Sequence, residues 1–342
     1  MRETELVVTM PITNPATGMK SRKFIYAGKV DGIEGETIDD WKSTDDPHKF
    51  VSRRAIAFQA ELYTLALQHM GRRMTGIRYR LITKPGLRYC EAKYSYAVMR
   101  AGRKSAVKVL DDFKDAELFA KGQGCTVVER CSGDKNLQAY EDRCYEWIRA
   151  EPDRLFDHTV PVSSGRLMQA GYYLWECSKR ILDSRLNSRW LPNSGACEAY
   201  GRECPYLSLC ECLAAGADPT WIIEDQFEVA DDTHPELDGQ VKSDKDLITS
   251  SSAGCLCLCE VRYYWKHERR LRKPQREIDA AWLGSAMHAG LEHFVAGGLE
   301  AAYAAIDDWR EHNPVLGDDV RKQDQEIGKA RAMMRAAAEK WL

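Results

Sequence analysis

Alternating apolar and polar residues near the start of the chain predict two short strands. The segment FIYAGKVDGI (24–33) alternates loosely, and ETIDDWKST (36–44) follows a Glu-Gly pair typical of a tight turn. Because successive side chains of a strand point to opposite faces, Asp40 and Lys42 share one face of the second strand. Asp31, near the end of the first strand, can meet them there. The pattern therefore predicts a hairpin that gathers two carboxylates and one amine.

A helical pattern follows the second strand. In RRAIAFQAELYTLALQHMG (53–71), apolar residues such as Ile56 recur at helical spacing, and Gly71 ends the pattern. Gln59 and Tyr63 are four residues apart, so an amide and a phenol share one helix face. Taken alone, this pair is typical of a half-buried tyrosine beside a solvated glutamine.

Three further segments carry a recognisable pattern. Residues 78–93 predict another strand and turn that extend the sheet, and residues 94–190 predict mostly polar helix. The segment AAWLGSAMHAGLEHFVA (280–296) predicts an amphipathic helix on which His288 and Glu292 lie four residues apart. Taken alone, His288 is more typical of a half-buried helical histidine than of a metal ligand.

The hairpin carries the most informative candidate chemistry. Two carboxylates and an amine at one point can hold a hard divalent cation and a water molecule beside a phosphodiester. The alternative is a surface hairpin with ordinary charges, since Asp, Lys and Gly are all common in turns. The hairpin pattern by itself leaves both interpretations open.

Twelve cysteines also require an explanation. The first residues lack the basic-then-apolar form of a signal peptide, and no stretch of 18 apolar residues predicts a membrane span. A cytoplasmic protein is expected, in which cysteines are thiols or metal ligands rather than disulfides. Six of them fall into two groups: Cys197, Cys204 and Cys210 with the spacing C-x6-C-x5-C, and Cys255, Cys257 and Cys259 in CLCLCEVRYYW. Thiolates grouped in this way bind zinc or iron–sulfur clusters.

The charge of the chain limits how it can bind nucleic acid. The formal net charge of −3 excludes a global basic field, so binding would depend on local patches. The segment KHERRLRKPQR (266–276) is one such patch, although a charge run is often only a solvated surface. Its candidate DNA-binding residues are Lys266, Arg269, Arg270, Arg272 and Lys273. No phosphate-binding GxxxxGK[ST] loop is present, so no helicase motor is predicted.

Taken together, GKVDGI, DDWKST and FQAELY resemble the PD-(D/E)XK nuclease superfamily, specifically its RecB-like branch. The resemblance implies that Asp31 and Asp40 are ligands of Mg²⁺ or Mn²⁺, with the backbone carbonyl of Trp41. It implies that Lys42 polarises the attacking water or steadies the developing negative charge. Gln59 and Tyr63 would flank the site. GSAMHAGLEHF resembles the G-x-x-x-H motif of the same nucleases, which implies that His288 binds the metal and that the backbone approaches closely at Gly284.

The cysteine groups resemble the iron–sulfur subgroup of these nucleases, which includes the AddB nuclease domain and CRISPR-adaptation nucleases. In that subgroup three late cysteines and one early cysteine hold a 4Fe–4S cluster. The resemblance implies Cys197, Cys204 and Cys210 as the late ligands, although the first spacing here is wider than in AddB. The early ligand precedes an aromatic run in the family, which favours Cys259, with Cys255 and Cys257 as substitutes. A Zn²⁺ site with the same four thiolates is the alternative.

The order of the motifs differs from that of the family. Family members begin with the early cysteine and the G-x-x-x-H helix, whereas these segments come last here, so the order is circularly permuted. Such a permutation is tolerated when the original termini lie close together. Two alternatives are complementation in trans between two chains and a reading frame cut from a circular sequence.

The resemblance implies an α/β fold, in which a restriction-endonuclease-like mixed sheet is flanked by helices and a helical region is stapled by an iron–sulfur cluster. One nuclease domain is expected, with a catalytic sheet core in 1–93, a helical region in 94–212, a linker in 213–252 and the family's N-terminal part in 253–342. The implied function is a metal-dependent DNA exonuclease in bacterial or phage recombination and repair. It would act on DNA ends or single strands, with a helicase or recombination protein as partner and with oligomers allowed. The alternative is a non-catalytic DNA-end-binding subunit of a recombination or CRISPR-adaptation complex.

Overall fold

The computed structural model describes residues 2–54, 58–199, 202–234, 237, 239–274, 280–314 and 320–341. The chain divides into two compact units. The first unit comprises Met1–Lys42, Asp46–Leu81 and Phe156–Arg276, and the second comprises Ser43–Asp45, Ile82–Leu155 and Glu277–Leu342.

Strands occur in both units. In chain order they are β1 (Arg2–Thr13), β2 (Lys20–Glu34), β3 (Thr37–Thr44), β4 (Gly76–Thr83), β5 (Lys93–Met99), β6 (Lys108–Leu110), β7 (Thr126–Ser132), β8 (Leu155–Pro161), β9 (Glu198–Ala199), β10 (Arg202–Glu203), β11 (Glu228–Val229), β12 (Asp246–Ile248) and β13 (Leu271–Arg272).

Helices fill most of the remaining sequence. They are α1 (Pro47–Arg54), α2 (Gln59–His69), α3 (Phe113–Lys121), α4 (Leu137–Arg149), α5 (Ser164–Asn187), α6 (Leu207–Ala214), α7 (Thr220–Gln226), α8 (Ser250–Leu258), α9 (Glu260–Tyr263), α10 (Ala280–His312, kinked at Gly298) and α11 (Val320–Trp341). A π-helical turn, Tyr264–Glu268, follows α9.

The first unit is built on a six-stranded mixed sheet. Its strand order is β1-β2-β3-β4-β8, and β12 pairs in parallel with β2. Helices α2 and α5 pack against β1 and β2, and together they bury an apolar core that contains Val8, Tyr26, Leu62 and Leu174. A mixed sheet flanked by helices fits the fold that the resemblance implies.

The predicted hairpin is confirmed. Strands β2 and β3 run antiparallel, with Gly32 opposite Asp39 and Glu34 opposite Thr37. Gly35 takes a φ of 61° in the turn, a left-handed conformation that glycine adopts without a Cβ penalty. The short turn therefore fixes the register that aligns Asp31 with Asp40.

The predicted helix over 53–71 corresponds to two helices. α1 ends at Arg54 and α2 begins at Gln59, and residues 55–57, which include Ile56, lie outside the described residues. α2 stops before Gly71, whose φ is 82°.

The second unit contains a small sheet and a group of helices. The sheet order is β6-β5-β7, and α3 covers one of its faces through Ala116 and Ala120, which pack against Val98. The longer helices α4 and α10 each pack against α11.

Two segments differ from the sequence-based expectations. Residues 94–190, expected to be mostly helical, contain strands β5, β6, β7 and β8. The expected linker, residues 213–252, contains α7 and also β12, which joins the main sheet. Both segments thus supply parts of the folded units.

Candidate active site

The predicted acidic residues and lysine converge within the first unit. The ammonium of Lys42 lies 3.0 Å from Oδ1 of Asp40 and 3.6 Å from Oδ2 of Asp31. The backbone N–H of Trp41 donates to Oδ2 of Asp31 at 2.9 Å, which ties the two strands together at this point. The hairpin therefore places both carboxylates and the amine within one small region.

These three side chains differ in their access to solvent. Asp40 is 2% exposed, whereas the side chains of Asp31 and Lys42 are 16% and 22% exposed. A buried carboxylate is costly without a partner, and Lys42 supplies the compensating charge. The partial exposure of the other two groups leaves the cluster within reach of solvent.

Glu5 is a neighbour of this cluster that no sequence motif predicts. Glu5 lies on β1, and one of its carboxylate oxygens is within 4.8 Å of a carboxylate oxygen of Asp31. Glu5 also pairs with Lys29, whose ammonium lies 2.9 Å from Oε2 of Glu5. The backbone φ of Glu5 is 55°, which costs roughly 1–2 kcal/mol for a residue with a Cβ. No local sequence signal marks this glutamate, because its place beside Asp31 depends on the β1–β2 register.

The amide and the phenol on α2 share one face, as the spacing predicts. Nε2 of Gln59 donates to the hydroxyl of Tyr63 at 3.0 Å. The Tyr63 ring lies directly on Gly28 of β2, where a Cβ added to the glycine would be only 2.6 Å from Cε1 of the ring. Gly28 thus provides the space that brings this tyrosine close to the strand that carries Asp31.

The opposite face of β3 is closed by a buried ionic network. Asp39 is fully buried, and it accepts hydrogen bonds from Nε of Arg78 at 2.7 Å and pairs with Nη2 of Arg80 at 3.1 Å. The hydrogen bond with Asp39 is the main reason that the pKa of Arg78 is raised. Arg80 also lies 5.0 Å above the Trp41 ring. These contacts on one face of β3 hold the orientation of Asp40 and Lys42 on the other.

His288 belongs to the second unit, on α10. Leu283 and Met287 of the same helix are buried, which confirms the predicted apolar stripe, and His288 itself is half-buried. A Cβ on Gly284 would lie 3.9 Å from Oγ of Ser43, an ordinary contact distance. Ser43 directly follows Lys42 in the sequence.

The four cysteines assigned to a cluster lie near one another in the first unit. Burial, followed by the neighbouring thiols of Cys204, Cys259 and Cys197, raises the pKa of Cys210 to about 11. The backbone N–H of Cys204 donates to the carbonyl of Cys197 at 2.7 Å. Cys255 is also close to Cys259 and Cys204, and burial is the main reason that its pKa is raised. This region is packed by Tyr206, Trp265 and other buried side chains of α6, α7 and the π-helical turn.

The spacing of these sulfur atoms bears on which metal they could hold. Tetrahedral zinc binds four thiolates at about 2.3 Å, which brings the sulfurs to about 3.8 Å from one another. Within the described ranges, no three cysteine sulfurs lie within 4.8 Å of one another. A larger cluster, in which each thiolate binds its own iron, holds its cysteines farther apart.

Cys257 has a different neighbour. Its Sγ lies 3.7 Å from Sγ of Cys177 on α5, and the hydrogen bond between them lowers the pKa of Cys257. Cys257 is exposed, whereas Cys177 is buried. Of the three cysteines in CLCLC, the structure therefore pairs the middle one with α5.

The basic segment around Lys266 forms part of the same region as the cysteines. Arg270 donates to the carbonyl of Asp231 at 2.9 Å, and Arg272 donates to the carbonyl of Lys266 at 2.8 Å. Two further members also have local partners: Arg269 donates to the hydroxyl of Tyr264 at 3.3 Å, and Nζ of Lys273 lies 5.5 Å above the Phe227 ring. These side chains thus make local contacts around the β11–β13 ribbon.

Comparison with known proteins gives one match. Residues 248–342 match the family model described as the PD-(D/E)XK nuclease superfamily. No curated protein and no solved structure matches the chain. The matched segment includes His288 and the G-x-x-x-H motif, and it supports a relationship to this superfamily, whose members are generally metal-dependent phosphodiester-hydrolysing nucleases. None of the helices in the described ranges has the length and apolar character needed to cross a bilayer.

Proposed function

We propose that this chain is a divalent-metal-dependent DNA nuclease. The observation that carries the proposal is the position of the Lys42 ammonium, 3.0 Å from Asp40 and 3.6 Å from Asp31 on adjacent strands. The match of residues 248–342 to the nuclease superfamily supports it independently, because that segment lies outside the hairpin. We further propose an exonuclease that acts on DNA ends or single strands in phage or bacterial recombination and repair.

The donor set fits a hard divalent cation. Carboxylate and carbonyl oxygens are the preferred ligands of Mg²⁺ and Mn²⁺, and carboxylate oxygens of Asp31 and Glu5 lie within 4.8 Å of each other. The proposed ligands are Asp31, Asp40, the carbonyl of Trp41 and His288, and Glu5 is a further carboxylate beside Asp31. When bound, the ion would lower the pKa of a water molecule and neutralise charge on the scissile phosphate.

His288 enters this ligand set through its motif. It stands four residues after Gly284 in the segment that matches the superfamily.

Lys42 is the proposed catalytic residue of the chain itself. Its ammonium is held by Asp40, so it needs little reorganisation to orient a water molecule or to stabilise charge that develops on a phosphate oxygen. Tyr63 packs on Gly28 and accepts a hydrogen bond from Gln59, so this pair is proposed to position the strand that carries Asp31.

We also propose a 4Fe–4S cluster held by Cys197, Cys204, Cys210 and Cys259. The neighbouring thiols of Cys204, Cys259 and Cys197 around Cys210 support a shared metal site, and the resemblance to the iron–sulfur subgroup favours the cluster over zinc. Its role is structural, because it would join α6 to the segment between α8 and α9. An anaerobically purified sample should be brown and contain iron and sulfide, whereas a colourless sample that contains zinc would contradict the cluster.

We propose that the motif order of this chain is a circular permutation of the family order. The match at residues 248–342 is consistent with it, because that segment holds the motifs that, by the resemblance, begin the family domain, whereas the Asp-x-Lys strand comes earlier in the chain. The pairing of β12 with β2 also supports it, since this strand leads directly into the matched segment.

The test is cleavage of labelled linear and circular DNAs with Mg²⁺ or Mn²⁺. Wild-type protein should cleave linear DNA, and Lys42→Ala should not. Lys49→Ala is the matched control, because Lys49 is 75% exposed on α1 and lies outside the cluster. Equal cleavage by the Lys42→Ala and Lys49→Ala proteins would refute the proposal. Tight binding to DNA ends without any cleavage by the wild type would instead favour the non-catalytic end-binding subunit.

A further inference from the structure

A strongly basic hairpin lies in the second unit, in a segment where the sequence shows no catalytic motif. Residues 93–110, which form β5, the turn and β6, contain five cationic residues and no Asp or Glu, although the whole chain has 49 Lys and Arg against 52 Asp and Glu. We call this segment the basic hairpin. Its cations are Lys93, Arg100, Arg103, Lys104 and Lys108.

The cations of the basic hairpin are exposed and are not neutralised by neighbours. All five are exposed, and in the described part of the chain none of them forms an ion pair. Lys108 makes one contact, with its ammonium 4.9 Å above the Phe119 ring. Arg103 and Lys104 are adjacent in the sequence, and like charges within the Debye length of about 8 Å at physiological salt repel one another. The grouping of these cations therefore does not stabilise the fold of the unit, but it would favour the binding of a polyanion.

The backbone that presents these cations is well defined. β5 pairs with β7 along its length, from Lys93 opposite Ser132 to Met99 opposite Thr126, and α3 covers one face. The turn is closed by bonds from the N–H of Arg103 to the carbonyl of Arg100 at 3.1 Å and from the N–H of Val107 to the carbonyl of Val98 at 2.8 Å. The tip of the basic hairpin therefore extends beyond the end of the β5–β7 pairing, where only the two arms of the hairpin continue.

The composition of the tip indicates the class of partner. Besides its cations, residues 100–106 contain only Ala, Gly and Ser, so the tip has no large apolar side chain to insert into a lipid surface. Exposed Lys and Arg at the tip of a hairpin suit phosphate oxygens, which are contacted without regard to base sequence.

We propose that the basic hairpin binds the phosphate backbone of DNA at a position separate from the metal cluster. The proposal rests on the proposed function, because it takes DNA as the substrate of this chain. The hairpin holds the DNA without selecting its sequence. It is distinct from the segment around Lys266, in which Arg270 and Arg272 donate to backbone carbonyls.

The test neutralises four cations of the hairpin together, as Arg100→Gln, Arg103→Gln, Lys104→Gln and Lys108→Gln. The matched control carries Lys114→Gln, Lys121→Gln, Lys135→Gln and Arg321→Gln, which remove the same charge from exposed positions of the second unit. Binding of a labelled duplex and a labelled single strand is measured in EDTA, without cleavage, from 50 to 200 mM KCl. Thermal unfolding checks that each variant is folded.

Loss of four phosphate contacts should reduce the slope of log K against log salt by about 3.6 for duplex DNA, and affinity at 100 mM salt should fall by at least about tenfold. The control should keep the wild-type slope. If the fourfold variant fails to fold, the double variant Arg103→Gln/Lys104→Gln should reduce the slope by about 1.8. Equal slopes for the hairpin variant and the control would overturn the proposal, as would absence of DNA binding by the wild type. Loss of binding to phosphatidylserine vesicles with unchanged DNA binding would assign the hairpin to a membrane instead and also overturn it.

The two proposals can fail separately. If the wild type never cleaves DNA but its binding depends on the basic hairpin, the nuclease proposal fails and this one stands. If the wild type cleaves DNA and the hairpin variant binds and cleaves like the control, only the hairpin proposal fails.

Discussion

Gly28→Ala tests whether the packing of Tyr63 on β2 supports the active site. The added Cβ would lie 2.6 Å from Cε1 and 3.3 Å from Cδ1 of Tyr63, and 3.0 Å from the hydroxyl of Tyr26. Neither ring can move freely, because Tyr63 is 7% exposed and Tyr26 is fully buried. The methyl group must therefore displace a packed tyrosine.

The size of the effect follows from these distances. Carbon atoms in contact normally lie about 3.5–4.0 Å apart, so the Tyr63 ring must shift by about 1 Å. Overpacking of this kind costs about 1–3 kcal/mol, partly offset by about 0.5–1 kcal/mol because alanine loses less backbone entropy than glycine on folding. A net loss of about 1–2 kcal/mol in the free energy of unfolding is expected. A displacement of 1 Å beside a catalytic group can lower the rate by up to about a hundredfold.

The assay combines urea unfolding with kcat/KM for cleavage of linear DNA. Gly32→Ala on the same strand is the matched control, because its Cβ would meet Asp39 Cβ at 3.6 Å and the Glu3 carbonyl oxygen at 3.5 Å, both ordinary contacts. The double variant Gly28→Ala/Tyr63→Ala removes the conflict with Tyr63 and leaves only the 3.0 Å contact with the Tyr26 hydroxyl, so Gly28→Ala should cost less stability in the Tyr63→Ala protein than in the wild type. If Gly28→Ala matched Gly32→Ala in both stability and activity, the packing argument would be wrong.

Three further predictions concern separate parts of the molecule. Asp40→Ala should abolish cleavage while circular dichroism shows an intact fold; retained activity would remove Asp40 from the site. Cys204→Ser should lose visible absorbance and solubility together, whereas Cys131→Ser, at an exposed position, should lose neither; a stable, active Cys204→Ser protein would contradict the stapling role. The hydrogen bond from Arg143 lowers the pKa of Asp134, so its stabilising contribution is complete above the unfolded-state pKa and is lost as the pH falls through the folded-state value. Asp134→Asn should therefore reduce the free energy of unfolding by about 1–3 kcal/mol at pH 7 and by much less near pH 3; an unchanged difference would contradict this account.

The hairpin and its charges could be predicted from the sequence because the signals are local. Alternation with a Glu-Gly turn fixes the faces of Asp40 and Lys42, and a four-residue spacing fixes those of Gln59 and Tyr63. Glu5 could not be found in this way, because its approach to Asp31 depends on strand register between segments far apart in the sequence.

The strands of the second unit differ from the predicted helices although a local signal for them exists. The segment TVVERCS, which forms β7, is rich in β-branched residues, but the polar residues around it favour helix over the region as a whole. β12 is harder to predict from the sequence, because a strand of three residues is too short to show a periodic pattern. Its place in the sheet comes from tertiary pairing alone.

The pairing of β12 with β2 determines when the main sheet can be completed during synthesis. Residues 25 and 26 pair with β1 on one side and with residues 247 and 248 on the other, and the Tyr26 hydroxyl meets Oγ of Ser250 at 2.8 Å. At translation rates of 5–20 residues per second, about 10–45 s separate the emergence of these two segments from the ribosome. During that interval the nascent sheet has an open edge, which is a surface that chaperones recognise and that invites aggregation. The pairing of β2 within the sheet is therefore completed only late in synthesis.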